Sequence, residues 1–179
     1  MSKTKTIGFL FALLTLLTNT AFAGQNLKEY TLGSGDKIKI MVFGEEDLTV
    51  ETLVGDSGTI SFPLLGEITV KKQTPSSIEA LVTKRLKGPY LIDPKVTVSI
   101  LEYRQFFVNG RVEKPGGFPF QPGMTVRQAI SLAGGFEERA NKGRIFVVNS
   151  DSISDRPVPI TIDAHVQPGD IITVERSFF

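Results

Sequence analysis

The chain has 179 residues, with 20 lysines and arginines against 19 aspartates and glutamates, so its formal net charge at pH 7 is +1. This balance argues against a nucleic-acid partner, which normally shows as a basic excess. The sequence contains no cysteine and a single histidine, His165, which excludes disulfides, cysteine nucleophiles, thiolate metal sites and multi-histidine metal clusters.

The start of the chain has the layout of a secretory signal peptide. Lys3 and Lys5 form a short basic segment, an apolar run covers residues 7–17, and Ala21 and Ala23 are the small residues of a cleavage site. The apolar run is shorter than the roughly 20 residues that a membrane-spanning helix needs. We therefore predict export with cleavage after Ala23, and an uncleaved N-terminal anchor is the alternative. Without cysteine, a bacterial lipid anchor is not expected.

After this segment, short β-branched runs alternate with glycine turns, a pattern typical of small β-sheets. In "GSGDKIKIMVFG", Ile38, Ile40 and Val42 share one parity after a Gly-Asp turn, which predicts a half-buried strand. Another turn at residues 56–58 precedes a short strand that ends at Pro63. These signals predict a sheet and not a helical bundle.

The apolar period changes to a helical one over residues 74–87. Thr74 can cap a helix, Pro75 suits its first position, and Gly88 ends it. The predicted apolar face consists of Ile78, Leu81, Val82 and Leu86. The alternating segment "KVTVSILEY" follows and is interpreted as the strand that closes this unit.

A second unit begins near Arg104. "QFFVNGRVEKPGGFPFQPGMT" predicts two strands joined through glycine and proline turns. Residues 125–128 form a capping box of the Thr-x-x-Gln kind, and a Gly-Gly pair ends the helix that follows. "RIFVVNS" and "DIITVERSFF" predict two more strands. The expected fold class is therefore α+β, with two small mixed domains, each a β-sheet with one helix, that divide around Tyr103.

The two units share one kind of turn. "LGSGDKIKIMV" opens the first unit and "VQPGDIITVER" closes the second, so a Gly-Asp turn precedes a β-branched run in both. Turn chemistry favours this combination in many proteins, and we do not interpret it as a repeat. It predicts only that tight turns begin strands in both places.

No catalytic constellation is evident, and we expect neither an enzyme nor a cofactor. Glu45, Glu46 and Asp47 are predicted to lie in a loop after a strand, as a solvated surface, with a divalent-cation site as the alternative. The sequence has no Gly-x-Ser-x-Gly elbow, dinucleotide-binding glycine motif or Walker lysine. No pair of carboxylates is singled out by spacing, as a glycosidase would require.

Aromatic residues are the other candidate contacts, since sugar rings stack on flat apolar faces. Most phenylalanines lie in the second unit, and the chain has no tryptophan. Phenylalanine without tryptophan favours core packing over a carbohydrate platform. Phe118 and Phe120, in the proline-rich hairpin, are the candidates for an exposed sugar contact.

Three segments resemble, in order, the export domain of the Wza-like outer-membrane polysaccharide export family: "YTLGSGDKIKIMVFGEEDL", "VGDSGTISFPLLGEITV" and "DPKVTVSILEY". "FFVNGRVEKPGGFPFQPGMTVRQAISLAGGF" resembles the soluble-ligand-binding β-grasp (SLBB) domain that follows it in that family. After the predicted signal peptide over residues 1–23, the resemblance implies an export domain over 24–103 and a β-grasp-like SLBB domain over 104–179.

The resemblance also implies a function without chemistry. It suggests a homo-oligomeric periplasmic ring that guides capsule polysaccharide or exopolysaccharide towards the outer membrane. Larger members carry a lipid-anchored cysteine, further β-grasp domains and a C-terminal amphipathic helix, which this sequence lacks. The expected partners are therefore a separate outer-membrane β-barrel pore and/or an inner-membrane polysaccharide co-polymerase. A monomeric periplasmic module that binds a soluble ligand or sugar is the alternative.

The residues that carry the family motifs are expected to be turn and cap residues that maintain the fold, not sugar contacts. They are Gly33, Gly35, Asp36, Pro63, Gly66, Pro115, Gly116, Gly134 and Gly135.

Overall fold

The computed structural model describes residues 30–149 and 156–177. The predicted signal peptide and its cleavage residues, Ala21 and Ala23, lie outside the described residues. Two helices and ten strands form two small domains of mixed structure within the described ranges. The predicted α+β fold class is confirmed. Neither described helix has the length and apolar character needed to cross a membrane.

The first domain contains a three-stranded antiparallel sheet in the order β2-β1-β5, a two-stranded β3-β4 hairpin and one helix. Its elements are β1 (Lys37–Val42), β2 (Glu45–Leu53), β3 (Thr59–Phe62), β4 (Gly66–Thr69), α1 (Pro75–Leu86) and β5 (Val96–Glu102). All six contribute to one apolar core.

The spacing of apolar residues explains how β1 and α1 form this core. Ile38 and Ile40 are fully buried on one face of β1, as their parity predicts. Helix α1 begins where Thr74 accepts a hydrogen bond from the Ser77 amide, with Pro75 at the first helical position. Its buried side chains are Ile78, Val82 and Leu86, and Leu81 packs at the margin of the core.

The loop predicted for Glu45, Glu46 and Asp47 is wrong, because these acids form the start of β2. Val42 pairs with Glu45, so only Phe43 and Gly44 separate β1 from β2. Strand β2 lies at the edge of its sheet, and only one of its nine residues is buried. An edge strand with so little burial has no clear apolar alternation, which is why the acids resembled a loop.

The second domain is a five-stranded mixed sheet in the order β7-β6-β10-β8-β9. Its elements are β6 (Phe106–Gly110), β7 (Gly116–Phe118), α2 (Val126–Leu132), β8 (Ala140–Val148), β9 (Val158–Ile160) and β10 (Ile171–Arg176). The central strand, β10, pairs parallel with β6 and antiparallel with β8. A separate apolar core joins this sheet to α2.

Helix α2 has defined ends. The predicted capping box is confirmed, because Thr125 and Gln128 each accept a hydrogen bond from the other's backbone amide. At the other end, the Gly135 amide donates to the Ile130 carbonyl and the Gly134 amide donates to the Ser131 carbonyl. This pair of bonds is a Schellman motif, which fixes where the helix stops.

Candidate functional site

Three residues, 103–105, connect β5 of the first domain to β6 of the second. The Tyr103 ring meets the Tyr30 ring edge-on at a centroid distance of 5.0 Å. It also meets Phe120 of the second domain edge-on at 5.4 Å. Because aromatic rings from both sides pack on Tyr103, this connection is part of the packed structure and not an extended linker.

A buried ion pair joins the domains beside Tyr103. Asp36 is fully buried. Its Oδ1 accepts a hydrogen bond from the Arg104 backbone amide at 2.8 Å, and its Oδ2 accepts one from Arg104 Nη1 at 3.2 Å. Oδ2 also accepts from the Tyr30 hydroxyl at 2.6 Å and from the Gly33 amide at 2.7 Å. The carboxylate thus has the several donors that a buried charge requires.

Two predicted motif residues make room for this pair. A Cβ atom on Gly33 would lie 2.2 Å from Arg104 Nη1, so a larger residue here would displace the guanidinium from this position. Gly35 has a φ of +94°, in the left-handed region that the tight turn before Asp36 uses. Asp36 is therefore more than a turn residue, since its side chain also binds Arg104 in the connection between the domains.

The second Gly-Asp turn has the same local geometry. The Gln167 amide donates to Asp170 Oδ2 at 2.8 Å, as the Gly33 amide does to Asp36. The remaining oxygen of Asp170 accepts from Asn149 Nδ2 at 2.9 Å, within its own domain. Both turns therefore fix a buried aspartate in the same way, and the Oδ1 of Asp36 accepts a hydrogen bond from the Arg104 amide at the junction.

An open cleft of about 650 Å³ crosses the junction. Residues 33–35 and Lys71 line it from the first domain, and Phe107, Gly169 and Ile171 line it from the second. Glu102 at the end of β5 and the connecting residues 103–105 form the part between them. Clefts at domain interfaces are common places for small-molecule binding. This cleft is the candidate binding site of the described chain.

The phenylalanine that faces the cleft is Phe107 and not one of the two candidates named from the sequence. Phe107 is 43% exposed, whereas Phe106 is fully buried. Phe118 and Phe120 are half-buried and pack against the second core, where Phe118 lies 5.9 Å from the Phe106 ring. A sugar contact by Phe118 or Phe120 stays a prediction. Alternation along "QFFVNG" was the signal that could have identified Phe107.

The other motif residues lie away from the cleft. Pro63 and Gly66 flank the β3-β4 turn, where Gly66 has a φ of +68°. Pro115 and Gly116 lie where β7 begins. Gly134 and Gly135 end α2, with φ angles of +82° and +96°.

The described residues contain no cluster of side chains suited to bind a metal ion. Within residues 30–149 and 156–177, no three His, Asp or Glu side chains are grouped so that they could hold a metal ion. Glu45, Glu46 and Asp47 are exposed on the edge strand β2. His165 is exposed and pairs through its backbone with Thr125.

Exposed apolar side chains gather at the other end of the first domain, and we call this set the apolar end. The Phe43 amide donates to the Lys95 carbonyl at 2.9 Å, and the Tyr90 hydroxyl donates to the Leu64 carbonyl at 3.1 Å. These bonds bring the β1-β2, β3-β4 and α1-β5 connections together. The exposed fractions are Phe43 77%, Leu64 55%, Tyr90 49% and Ile92 93%.

Comparison with known proteins identifies both domains. A family model described as polysaccharide biosynthesis/export protein matches residues 24–101, and a model of the SLBB domain matches residues 105–160. The exopolysaccharide production protein ExoF of Rhizobium meliloti (strain 1021) is 32% identical over 151 residues, which is 76% of this chain and 36% of ExoF.

The polysialic acid transport protein KpsD of Escherichia coli is 27% identical over 111 residues, 61% of this chain and 20% of KpsD. The chain therefore spans about a third of one curated relative and a fifth of the other.

Proposed function

The chain matches a Wza-like polysaccharide export protein with an SLBB domain, and from this premise we propose that it is a periplasmic component of a polysaccharide export machine. It guides capsule polysaccharide or exopolysaccharide towards or through the outer membrane and does not alter the polymer chemically. The observation that carries this proposal is the match of an export domain followed directly by an SLBB domain. We also propose the boundaries 1–23, 24–103 and 104–179 for signal peptide, export domain and SLBB domain.

The junction supports a role in guiding a polymer. Asp36 and Arg104 form a buried, hydrogen-bonded pair between the domains, and Tyr103 packs against both. A pair held in this way limits rotation of one domain against the other. A fixed angle between domains is what identical subunits need to repeat the same contact around a closed ring.

The apolar end supports self-association into such a ring. Large apolar side chains that are exposed together mark interaction surfaces more often than isolated ones do. Phe43 and Ile92, at 77% and 93% exposure, are the most exposed of the group. We propose that a ring built through this end works with an outer-membrane β-barrel pore and/or an inner-membrane polysaccharide co-polymerase.

Deletion of the gene in the source bacterium tests the export function. Polysaccharide on the cell surface and polysaccharide retained in the envelope would be quantified in the deletion strain and in one complemented with the intact gene. The proposal expects loss from the surface, restored by complementation. Normal surface polysaccharide in a strain without a second gene of this type would contradict it.

A periplasmic module that binds a soluble ligand or sugar is the second candidate function, and the junction cleft is the observation in its favour. The mass of the purified chain separates the two, because a ring predicts a large assembly and a module predicts a single chain. Incubation with purified polysaccharide tests the absence of chemistry, and any shortening of the polymer would contradict that part of the proposal.

A further inference from the structure

We propose that the junction cleft binds an acidic glycan, with a sugar ring against Phe107 and Ile171 and the acidic group at Lys71. The inference rests on the proposed function for the source of the glycan. It goes further by assigning a site and the charge of the ligand.

The apolar floor of the cleft comes from two adjacent strands. Ile171 of β10 is the register partner of Phe107 in β6. Their neighbours Phe106 and Ile172 are fully buried, so Phe107 and Ile171 face outward, at 43% and 38% exposure. An aromatic ring beside an aliphatic side chain on a sheet surface offers a flat apolar area to the C–H face of a sugar.

Gly117, in the neighbouring strand β7, has no side chain and so leaves room for the Phe107 ring. A Cβ atom on Gly117 would lie 3.0 Å from Phe107 Cε1 and 2.7 Å from Gln105 Oε1. Both side chains therefore lie against the bare backbone of Gly117. The Gln105 amide is exposed beside the ring and can donate to and accept from sugar hydroxyl groups.

Lys71 supplies the charge. A Cβ atom on Gly58 would lie 2.4 Å from Lys71 Cβ and 2.8 Å from its Cδ, so the lysine stem packs along Gly58. Among the ion pairs between described residues, none includes Lys71. The other cation that lines the cleft, Arg104, is paired with Asp36. The acidic side chain that lines it, Glu102, has its Oε1 3.8 Å from Lys37 Nζ. Lys71 is thus the cation of the cleft that an incoming carboxylate can meet.

The apolar floor and the positive charge of Lys71 together indicate the class of ligand. A neutral glycan would use the apolar floor and Gln105 but leave Lys71 without a role. A small anion would meet Lys71 but leave the floor exposed. An oligosaccharide that carries carboxylates meets both at once, because sugar rings are apolar on one face and uronic acids bear a negative charge at neutral pH.

Calorimetric titration of the purified chain tests the assignment, with hexameric oligogalacturonate as the acidic probe and maltohexaose as the neutral one. Lys71→Gln should weaken oligogalacturonate binding about fivefold at low salt and leave maltohexaose binding unchanged, as expected for one exposed charge contact. Phe107→Ala should weaken both, and Ile171→Ser provides a second test of the floor. Lys87→Gln, at the exposed C-cap of α1 and outside the lining of the cleft, is the matched control.

Thermal melts of each variant show whether it remains folded. Absence of oligogalacturonate binding, or equal losses in Lys71→Gln and Lys87→Gln, would overturn the assignment. The outcome is separable from the export function, since the cleft could bind as described in a chain whose deletion leaves surface polysaccharide normal. In that case the glycan site stands and the export proposal falls.

Discussion

Arg104 binds Asp36 twice, through its backbone amide and through its guanidinium group, and these two contacts span the junction between the domains. The backbone contact places the start of the second domain beside the Gly-Asp turn. The guanidinium contact balances the charge of a fully buried carboxylate. Asp36 thus holds the connecting segment against the first domain through two contacts with one residue.

Asp36→Asn should lower the free energy of unfolding by about 3 kcal/mol or more, because it leaves a buried guanidinium without its carboxylate. Urea unfolding measures this loss. Glu102→Gln is the control, since that side chain is 72% exposed and its change should have little effect. Equal stability of the wild type and Asp36→Asn would show that the pair does not hold the junction.

Gly110→Ala should destabilise the second domain far more than Gly44→Ala destabilises the first. Both glycines have positive φ, at +84° and +82°. A Cβ on Gly110 would lie 2.1 Å from the Val174 carbonyl oxygen, whereas a Cβ on Gly44 meets nothing within 4 Å. We expect about 1 kcal/mol for Gly44→Ala and at least about 3 kcal/mol for Gly110→Ala. Similar losses in urea unfolding would argue against the close strand approach.

Thr125→Ala should cost about 1 kcal/mol, since it removes the side-chain acceptor that caps α2. Urea unfolding with a fixed m-value measures the change. Thr161→Ala, at an exposed loop position, should stay within about 0.5 kcal/mol of the wild type. A Thr125→Ala variant as stable as Thr161→Ala would mean that the cap contributes nothing to the folded chain.

The double substitution Phe43→Ser with Ile92→Ser should reduce self-association without loss of stability, because both side chains are exposed in the single chain. Sedimentation of the purified chain over a range of concentrations measures the assembly. Leu132→Ser, at a 48% exposed position on α2, is the matched control. An assembly of the same size in all three proteins would exclude the apolar end as the contact.

The Lys37–Glu51 ion pair should give a small pH dependence of stability. The hydrogen bond with Lys37, at 2.9 Å, lowers the pKa of Glu51 from its usual 4.5. A lowered pKa contributes stability above pH 4.5 that is lost as the pH falls through the lowered value. The Tm difference between wild type and Glu51→Gln should therefore shrink on acidification from pH 6 to pH 3. A constant difference would contradict this.

Short sequence patterns correctly predicted the β1 strand and the starts of both helices. The parity of Ile38 and Ile40, the Thr74 cap and the Thr125 box each depend on a few neighbouring residues, and each is seen in the structure. Strand β9, in contrast, was not predicted from the sequence. It is a three-residue edge strand that contains Pro159, and such a segment has too few residues to establish an alternation.

The junction could not be predicted in this way. Asp36 and Arg104 are 68 positions apart, and a Gly-Asp turn is explained by local turn chemistry alone. Nothing near Asp36 in the sequence distinguishes it from Asp170, whose second oxygen bonds within its own domain. The difference arises from which residue the fold brings to the second carboxylate oxygen. The cleft depends on the same long-range placement.

The central position of β10 determines when the second domain can fold. This strand is the last of the described chain, yet it joins β6 to β8. Until β10 is synthesised, the β6-β7 and β8-β9 hairpins have no strand between them and the apolar core stays open. Folding of the second domain is therefore expected to wait for residues 171–176, because β10 supplies the contacts that join its two pairs of strands.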